Sequence, residues 1–208
     1  MSTSRERTAK ISKFRPRTVV LNGADHLHLD WVVCSERLSR VTCDELIVLG
    51  RSSPKDKPTV VGQSRFKQHR NCTVHLLPSE PKTLPLYQML WDTAVDATTK
   101  HYELTLSGMT RMPHYVEYSA GRGHFHWHND YSHEGLEAPR KLTVIIQLTD
   151  GDEYEGGDLE VFGAVNSVLP RERGSVFCFP SFLPHRVTPV TAGMRQVIVG
   201  WIAGPRLT

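Results

Sequence analysis

From Ala120 onward the chain is a succession of short apolar runs separated by turns every ten residues or so. Residues 142–148 read as a buried strand. Residues 158–162, 174–179 and 195–202 repeat the pattern, with an acidic turn over 150–157. Gly156-Gly157 at the end of that turn reads as a backbone requirement, because glycine relieves the steric limits of a tight strand entry. Many short strands with frequent turns predict a double-sheet jelly roll. Ahead of this core, Ser39 reads as an N-cap, and Cys43, Leu46, Ile47 and Gly50 fall on one face of a helix that ends at Gly50. A second helix is expected over 84–100, with Leu86, Leu90, Ala94 and Ala97 on one face. Short strands are expected near 19–21, 31–33, 59–61, 72–77, 103–108 and 114–120. The expected class is mainly β with flanking helices. A basic tail over 1–17 precedes one domain over 18–208, divided into support over 18–113 and a jelly-roll core over 114–204.

The chemistry concentrates in residues 121–130, Gly-Arg-Gly-His-Phe-His-Trp-His-Asn-Asp. In an extended strand, side chains at i and i+2 point to one face, so His128 and Asp130 converge. His185, in a Phe-Leu-Pro-His-Arg-Val context, offers a third ligand. Two histidines and a carboxylate on one side of an ion form the facial arrangement used by non-haem Fe(II) oxygenases, although the same set accepts other divalent metals. His124 and His126 share strand parity with His128, so a cupin-like site with His-x-His ligands is an alternative. His126 either touches substrate or stands on the pocket rim. Trp127 and Asn129, of opposite parity, read as packing residues. Arg195 shares a face with Val197, Val199 and Trp201 in an apolar run. A buried guanidinium needs a partner, and its fork of donors matches a carboxylate bidentately. Gln147 interrupts an apolar strand on the face of Thr143 and Ile145.

The totals exclude several classes. At 208 residues the chain can bury a proper core, and a net charge of +3 is too small to argue for a nucleic-acid partner. No apolar run approaches the roughly 20 residues that span a bilayer. The first ten residues lack the apolar centre of a secretory signal, and Cys34, Cys43, Cys72 and Cys178 show no paired spacing. Reduced thiols in a cytoplasm are therefore expected. The basic residues of the tail read as solvated charges or as an attraction to an acidic partner.

From about 115 to 203 the chain resembles the 2-oxoglutarate (2OG) and Fe(II)-dependent oxygenases of the prolyl 4-hydroxylase-like branch. The resemblance rests on His128-Asn129-Asp130, on Tyr154-Glu155-Gly156-Gly157-Asp158-Leu159, on His185 and on Arg195 ten residues later. Tyr118, ten before His128, and Trp201, six after Arg195, also fit. It implies a double-stranded β-helix core, with His128, Asp130 and His185 as catalytic metal ligands. It further implies Arg195 on the distal carboxylate of 2OG, with Tyr118 and Gln147 as further co-substrate contacts. Fe(II), 2OG and O2 follow as cofactor and co-substrates, with ascorbate as reductant. The implied reaction hydroxylates a C–H bond of an amino acid, a peptide such as a prolyl peptide, or a small metabolite, releasing succinate and CO2. His126 and Trp201 are substrate-contact candidates, and Arg122, Arg140 and Lys141 read either as a hint of an anionic substrate group or as solvated charges. The alternatives are a cupin-type metalloenzyme without 2OG and a non-catalytic member of the fold. Exposure of Arg195 away from the metal would favour the cupin type.

Overall fold

A computed structural model of the chain describes residues 18–21, 31–34, 38–56, 69–109, 111–121, 123–131, 139–162 and 166–205. The expected basic tail and the strand near 59–61 lie outside these residues, as does Arg122.

One strand organises the architecture. It is the last, β12 (His185–Ala203), and it belongs to two sheets in turn. Its first half pairs with β6 (Gly123–His128), β8 (Tyr154–Gly156) and β9 (Leu159–Phe162). Its second half pairs with β5 (His114–Ser119) and β7 (Arg140–Gln147). The change of sheet falls near Gly193, whose φ of +70° and close approach to the Glu153 carbonyl exclude any side chain. β7 continues the larger sheet to β11 (Val176–Pro180), β2 (Trp31–Cys34) and β1 (Thr18–Leu21), and β4 (Thr73–Leu76) closes the other edge on β5. The smaller sheet carries β3 (Arg70–Asn71) on β6 and β10 (Asn166–Val168) on β9. Among the described residues every strand pairing is antiparallel, and the two sheets face each other as a jelly roll.

The larger sheet is buried on both faces, which is why its strands read as continuous apolar runs. Leu142, Val144 and Ile146 of β7, with Ile198 and Ile202 of β12, pack outward against α1 (Arg40–Ser52) and α2 (Leu84–Ala97). Ile145, Phe177, Phe179 and Val197 point inward, against Leu159, Val161 and Val187 of the smaller sheet. The inward face is where a site can form.

The helices begin close to where the sequence predicts. The Ser39 side chain accepts the Thr42 N–H at 3.1 Å, capping α1. Gly50 does not end α1, which runs on to Ser52. Its lack of a side chain instead admits the Tyr115 ring, against which a Cβ would sit at 2.2 Å. After α2 the chain forms a π-helical turn (Thr98–Tyr102) and leaves it through Glu103 at φ +49°. The strand expected over 103–108 is reduced to one bridge, Gly108 with Ala203. The Leu104 N–H goes to the Thr98 hydroxyl rather than to a neighbouring strand. Among the described residues, no helix is long and apolar enough to cross a membrane.

Candidate metal centre and its cavity

His128 ends β6, His185 begins β12, and the two residues face each other in register. Asp130 follows two residues after β6, where its N–H donates to the Ser181 carbonyl at 2.8 Å. The three side chains are 14%, 5% and 10% exposed for His128, His185 and Asp130. Their ligand atoms all lie within 4.8 Å of one another, so one ion can reach all three. Asp130 Oδ1 stands 3.8 Å from His128 Nε2, and Oδ2 stands 3.4 Å from His185 Nε2. Both histidines have Nδ1 on a backbone carbonyl two residues back: His126 at 2.7 Å and Leu183 at 3.0 Å. A carbonyl only accepts, so Nδ1 carries the proton in the neutral ring, and each Nε2 lone pair is left facing the centre. Thr143 donates its hydroxyl to Asp130 Oδ2 at 2.9 Å and lies 3.0 Å from the Ser181 hydroxyl. Sequence reading missed Thr143 and Ser181 because their role depends on where β7 and the turn after β11 meet Asp130.

The electrostatics suit a cation. Burial works to raise the Asp130 carboxyl, but the hydrogen bond and charge of His185, with the charge of His128, outweigh it. They hold the carboxyl well below the usual carboxylate range. Burial, helped by the charge of His185, pushes His128 down to about 4. For His185 burial also works downward, yet the bond and charge of Asp130 prevail and raise its pKa. A proton entering this centre therefore goes to His185. An ion that displaces it finds an ionised carboxylate and two neutral imidazoles, so the donor set fits a divalent metal.

These residues line a cavity of about 420 Å³ between the sheets. Arg195, Val197, Val199 and Trp201 project into it from β12, as the shared face predicts. Arg195 is 2% exposed, and no carboxylate among the described residues pairs with it. Its Nε donates to Gln147 Oε1 at 3.2 Å, and its guanidinium carbon lies 5.8 Å from the Tyr118 ring, directly across the β5–β12 pair. This burial beside the His–Asp–His set weighs against a cupin-type site, which the exposure of Arg195 would have favoured. Tyr118 lines the cavity, and burial raises its phenol well above the ordinary value, so it stays a donor. Gln147 has the predicted facing but not the predicted place. It lies behind Arg195, off the cavity lining, and gives its own N–H groups to the Thr149 carbonyl at 2.8 Å and the Tyr154 hydroxyl at 3.1 Å.

Three further expectations need correcting. His124 and His126 do not share the face of His128. Between the pairs His185–His128 and Val187–Phe125, β6 contains one residue more than β12, a β-bulge that reverses the parity. Phe125 therefore shares the face of His128 and stacks on it at 3.4 Å, while His126 is exposed and off the cavity lining. Asn129, expected to pack, instead lines the cavity wall. Lys141 is buried and turned away from the cavity, whereas its neighbour Arg140 lines it. Trp201 lines the wall beneath the Arg140 guanidinium, which lies 4.5 Å from its ring, and its buried indole N–H makes no hydrogen bond of ordinary geometry while adding to the interactions that lower the pKa of Asp130. Sequence reading missed Arg70, Arg111 and His114 on the wall. Arg70 sits on a two-residue strand that carries no periodic signal.

Comparison with known proteins agrees with this geometry. Residues 113–203 match the model of the 2OG-Fe(II) oxygenase superfamily. The PKHD-type hydroxylase azo0608 of Azoarcus sp. (strain BH72) is 30% identical over 126 residues, which are 57% of this chain and 55% of that protein. A PKHD-type hydroxylase of Synechococcus sp. (strain CC9311) is 44% identical over 62 residues, 29% of this chain and 28% of that one. The chain thus spans less than two thirds of either relative. In fold, a Pseudomonas putida prolyl-4-hydroxylase superposes with a TM-score of 0.64 at 20% identity, covering 85% of this chain and 93% of that one. A prolyl hydroxylase from Trichoplax adhaerens, solved with a hypoxia inducible factor peptide fragment, superposes at 0.68 and 14% identity, covering 84% and 83%. Both show the same jelly roll. The segment that matches the 2OG-Fe(II) oxygenase superfamily, residues 113–203, contains the whole His–Asp–His centre and the cavity arginine.

Proposed function

We propose that this chain is an Fe(II)- and 2OG-dependent dioxygenase. It hydroxylates an unactivated C–H bond of an amino-acid-like, peptidyl or small-metabolite substrate and releases succinate and CO2. One observation carries the reading: a metal-competent His–Asp–His set and a buried arginine with no carboxylate partner among the described residues open into the same cavity. When bound, Fe(II) supplies the activation of O2 that is coupled to decarboxylation of 2OG, and ascorbate keeps the metal reduced.

The residues divide the remaining work. His128, Asp130 and His185 hold the metal, and the carbonyls of His126 and Leu183 fix which imidazole nitrogen faces it. Thr143 orients the Asp130 carboxylate. Arg195 takes the distal carboxylate of 2OG, aimed by its bond to Gln147. Gln147 is thus a positioning residue. Tyr118 donates its phenolic proton to the co-substrate. Ile145, Leu159 and Val187 keep the site poor in water. A peptide ligand, such as the one in the Trichoplax structure, is one form of substrate. We place the reaction in the cytoplasm, where the buried thiol of Cys43 stays reduced.

The reading is tested by turnover without added substrate. Protein supplied with Fe(II), 2OG and air is expected to release succinate slowly, and Asp130→Ala to release none while staying folded. Succinate release at the original rate from Asp130→Ala would remove the ligand assignment.

A further inference from the structure

Among the described residues, the cavity wall carries four arginines (Arg70, Arg111, Arg140 and Arg195) and two aspartates (Asp56 and Asp130). The proposed chemistry accounts for only part of that charge. A divalent metal, the dianion 2OG, Asp130 and Arg195 together are neutral. The Arg70, Arg111 and Arg140 guanidinium groups and Asp56 lie outside that balance. His114, on the same wall, feels the same guanidinium groups. Burial, with the charges of Arg70, Arg140 and Arg111, pushes it down to about 4, so its ring is neutral there.

Two of the three arginines reach the centre itself. Arg70 on β3 lies opposite Phe125 of β6, with its guanidinium carbon 4.8 Å from the Phe125 ring, and that ring stacks on His128. Its Nε donates to Cys72 Sγ at 2.9 Å. Its terminal nitrogens have no carboxylate partner among the described residues. Arg140 on β7 stacks on Trp201 and reaches the Asp130 carbonyl at 3.5 Å. The two guanidinium groups therefore flank the centre from different strands, and each sits over an aromatic ring. A guanidinium kept rigid in this way loses little freedom when it binds a planar anion. Near them His114 Nδ1 is buried without a hydrogen-bond partner.

We propose that the substrate carries a carboxylate, taken by Arg70 with Arg140 beside it, and that this carboxylate places the reacting carbon at the metal. The proposal rests on the oxygenase reading above. The carboxylate can belong to a free small acid or to an acidic residue or C-terminus of a peptide. The chemistry is shared, and the test separates the sources.

The test measures binding, not turnover, on full-length protein loaded with Zn(II) in place of Fe(II) and saturated with 2OG. Ligand-observed NMR or calorimetry follows matched acid and amide pairs. These are N-acetyl-L-proline, N-acetyl-L-glutamate and hexanoate, each with its amide, and a prolyl tetrapeptide with a free or amidated C-terminus. At least one acid is expected to bind about tenfold or more tighter than its amide. Arg70→Gln is expected to erase that difference and Arg140→Gln to reduce it, while both keep 2OG affinity within about threefold. Preference confined to the small acids assigns a free substrate, and preference for the peptide acid assigns a peptide. The proposal falls if no acid outbinds its amide, if the preference survives in both variants, or if Arg70→Gln abolishes 2OG binding. The last outcome would assign Arg70 to the co-substrate. Failure of the wild-type protein to bind 2OG at all would instead overturn the oxygenase reading.

Discussion

At the scale of single residues, the centre is an electrostatic compromise that a metal resolves. Asp130 raises the pKa of His185 and His185 lowers that of Asp130, so a proton that enters the centre sits on His185, while burial pushes His128 down to about 4. Metal binding must expel that proton. Affinity is therefore expected to fall about tenfold per pH unit once the pH drops below the raised pKa of His185. Calorimetric titration with Zn(II) at several pH values checks this. A pH-independent affinity between 5 and 8 would contradict it. Replacing Asp130 by Asn removes the group that raises His185, so the onset should move to lower pH even as overall affinity weakens. Gln147→Leu should raise the 2OG requirement severalfold with metal affinity unchanged, because it removes the acceptor that aims Arg195. An unchanged requirement would remove the positioning role.

At the scale of elements, what could be read from sequence was what depends on a single strand. Parity along β7 puts Gln147 on the inward face with Thr143 and Ile145, and parity along β12 puts Arg195 with Val197, Val199 and Trp201. Both follow from a two-residue period. What could not be read was set between strands. The bulge in β6 arises from its pairing with β12, and it alone decides that Phe125, not His126, accompanies His128. Arg70 reaches the cavity only because β3 docks on β6, a contact fixed far away in sequence. The Gly156-Gly157 pair was legible because its demand is local, with φ of +66° and +65°. A Cβ at Gly156 would also meet the Pro189 carbonyl at 2.1 Å. Gly156→Ala is expected to cost on the order of 2–4 kcal/mol, seen as a lowered urea midpoint. A midpoint within error of the original would show that β8 can shift without loss.

At the scale of the molecule, β12 explains why the fold and the site come together. Its first half brings His185 to the smaller sheet, and its second half brings Arg195 to the larger one. Metal ligands and carboxylate clamp thus face one cavity while being anchored in different sheets. Helices α1 and α2 support the outer face of the larger sheet and add no residue to the cavity wall among those described. The central claim is that these two halves act on one co-substrate. The measurement that tests it most directly is an anaerobic titration of purified protein with Fe(II) and then 2OG, following the weak visible charge-transfer band of the chelate. The band should appear at one 2OG per protein, and Arg195→Ala should require at least about thirtyfold more 2OG to reach it with little change in Fe(II) affinity. Fe(II) binding with no band in the original protein, or an identical 2OG titration in Arg195→Ala, would contradict the account.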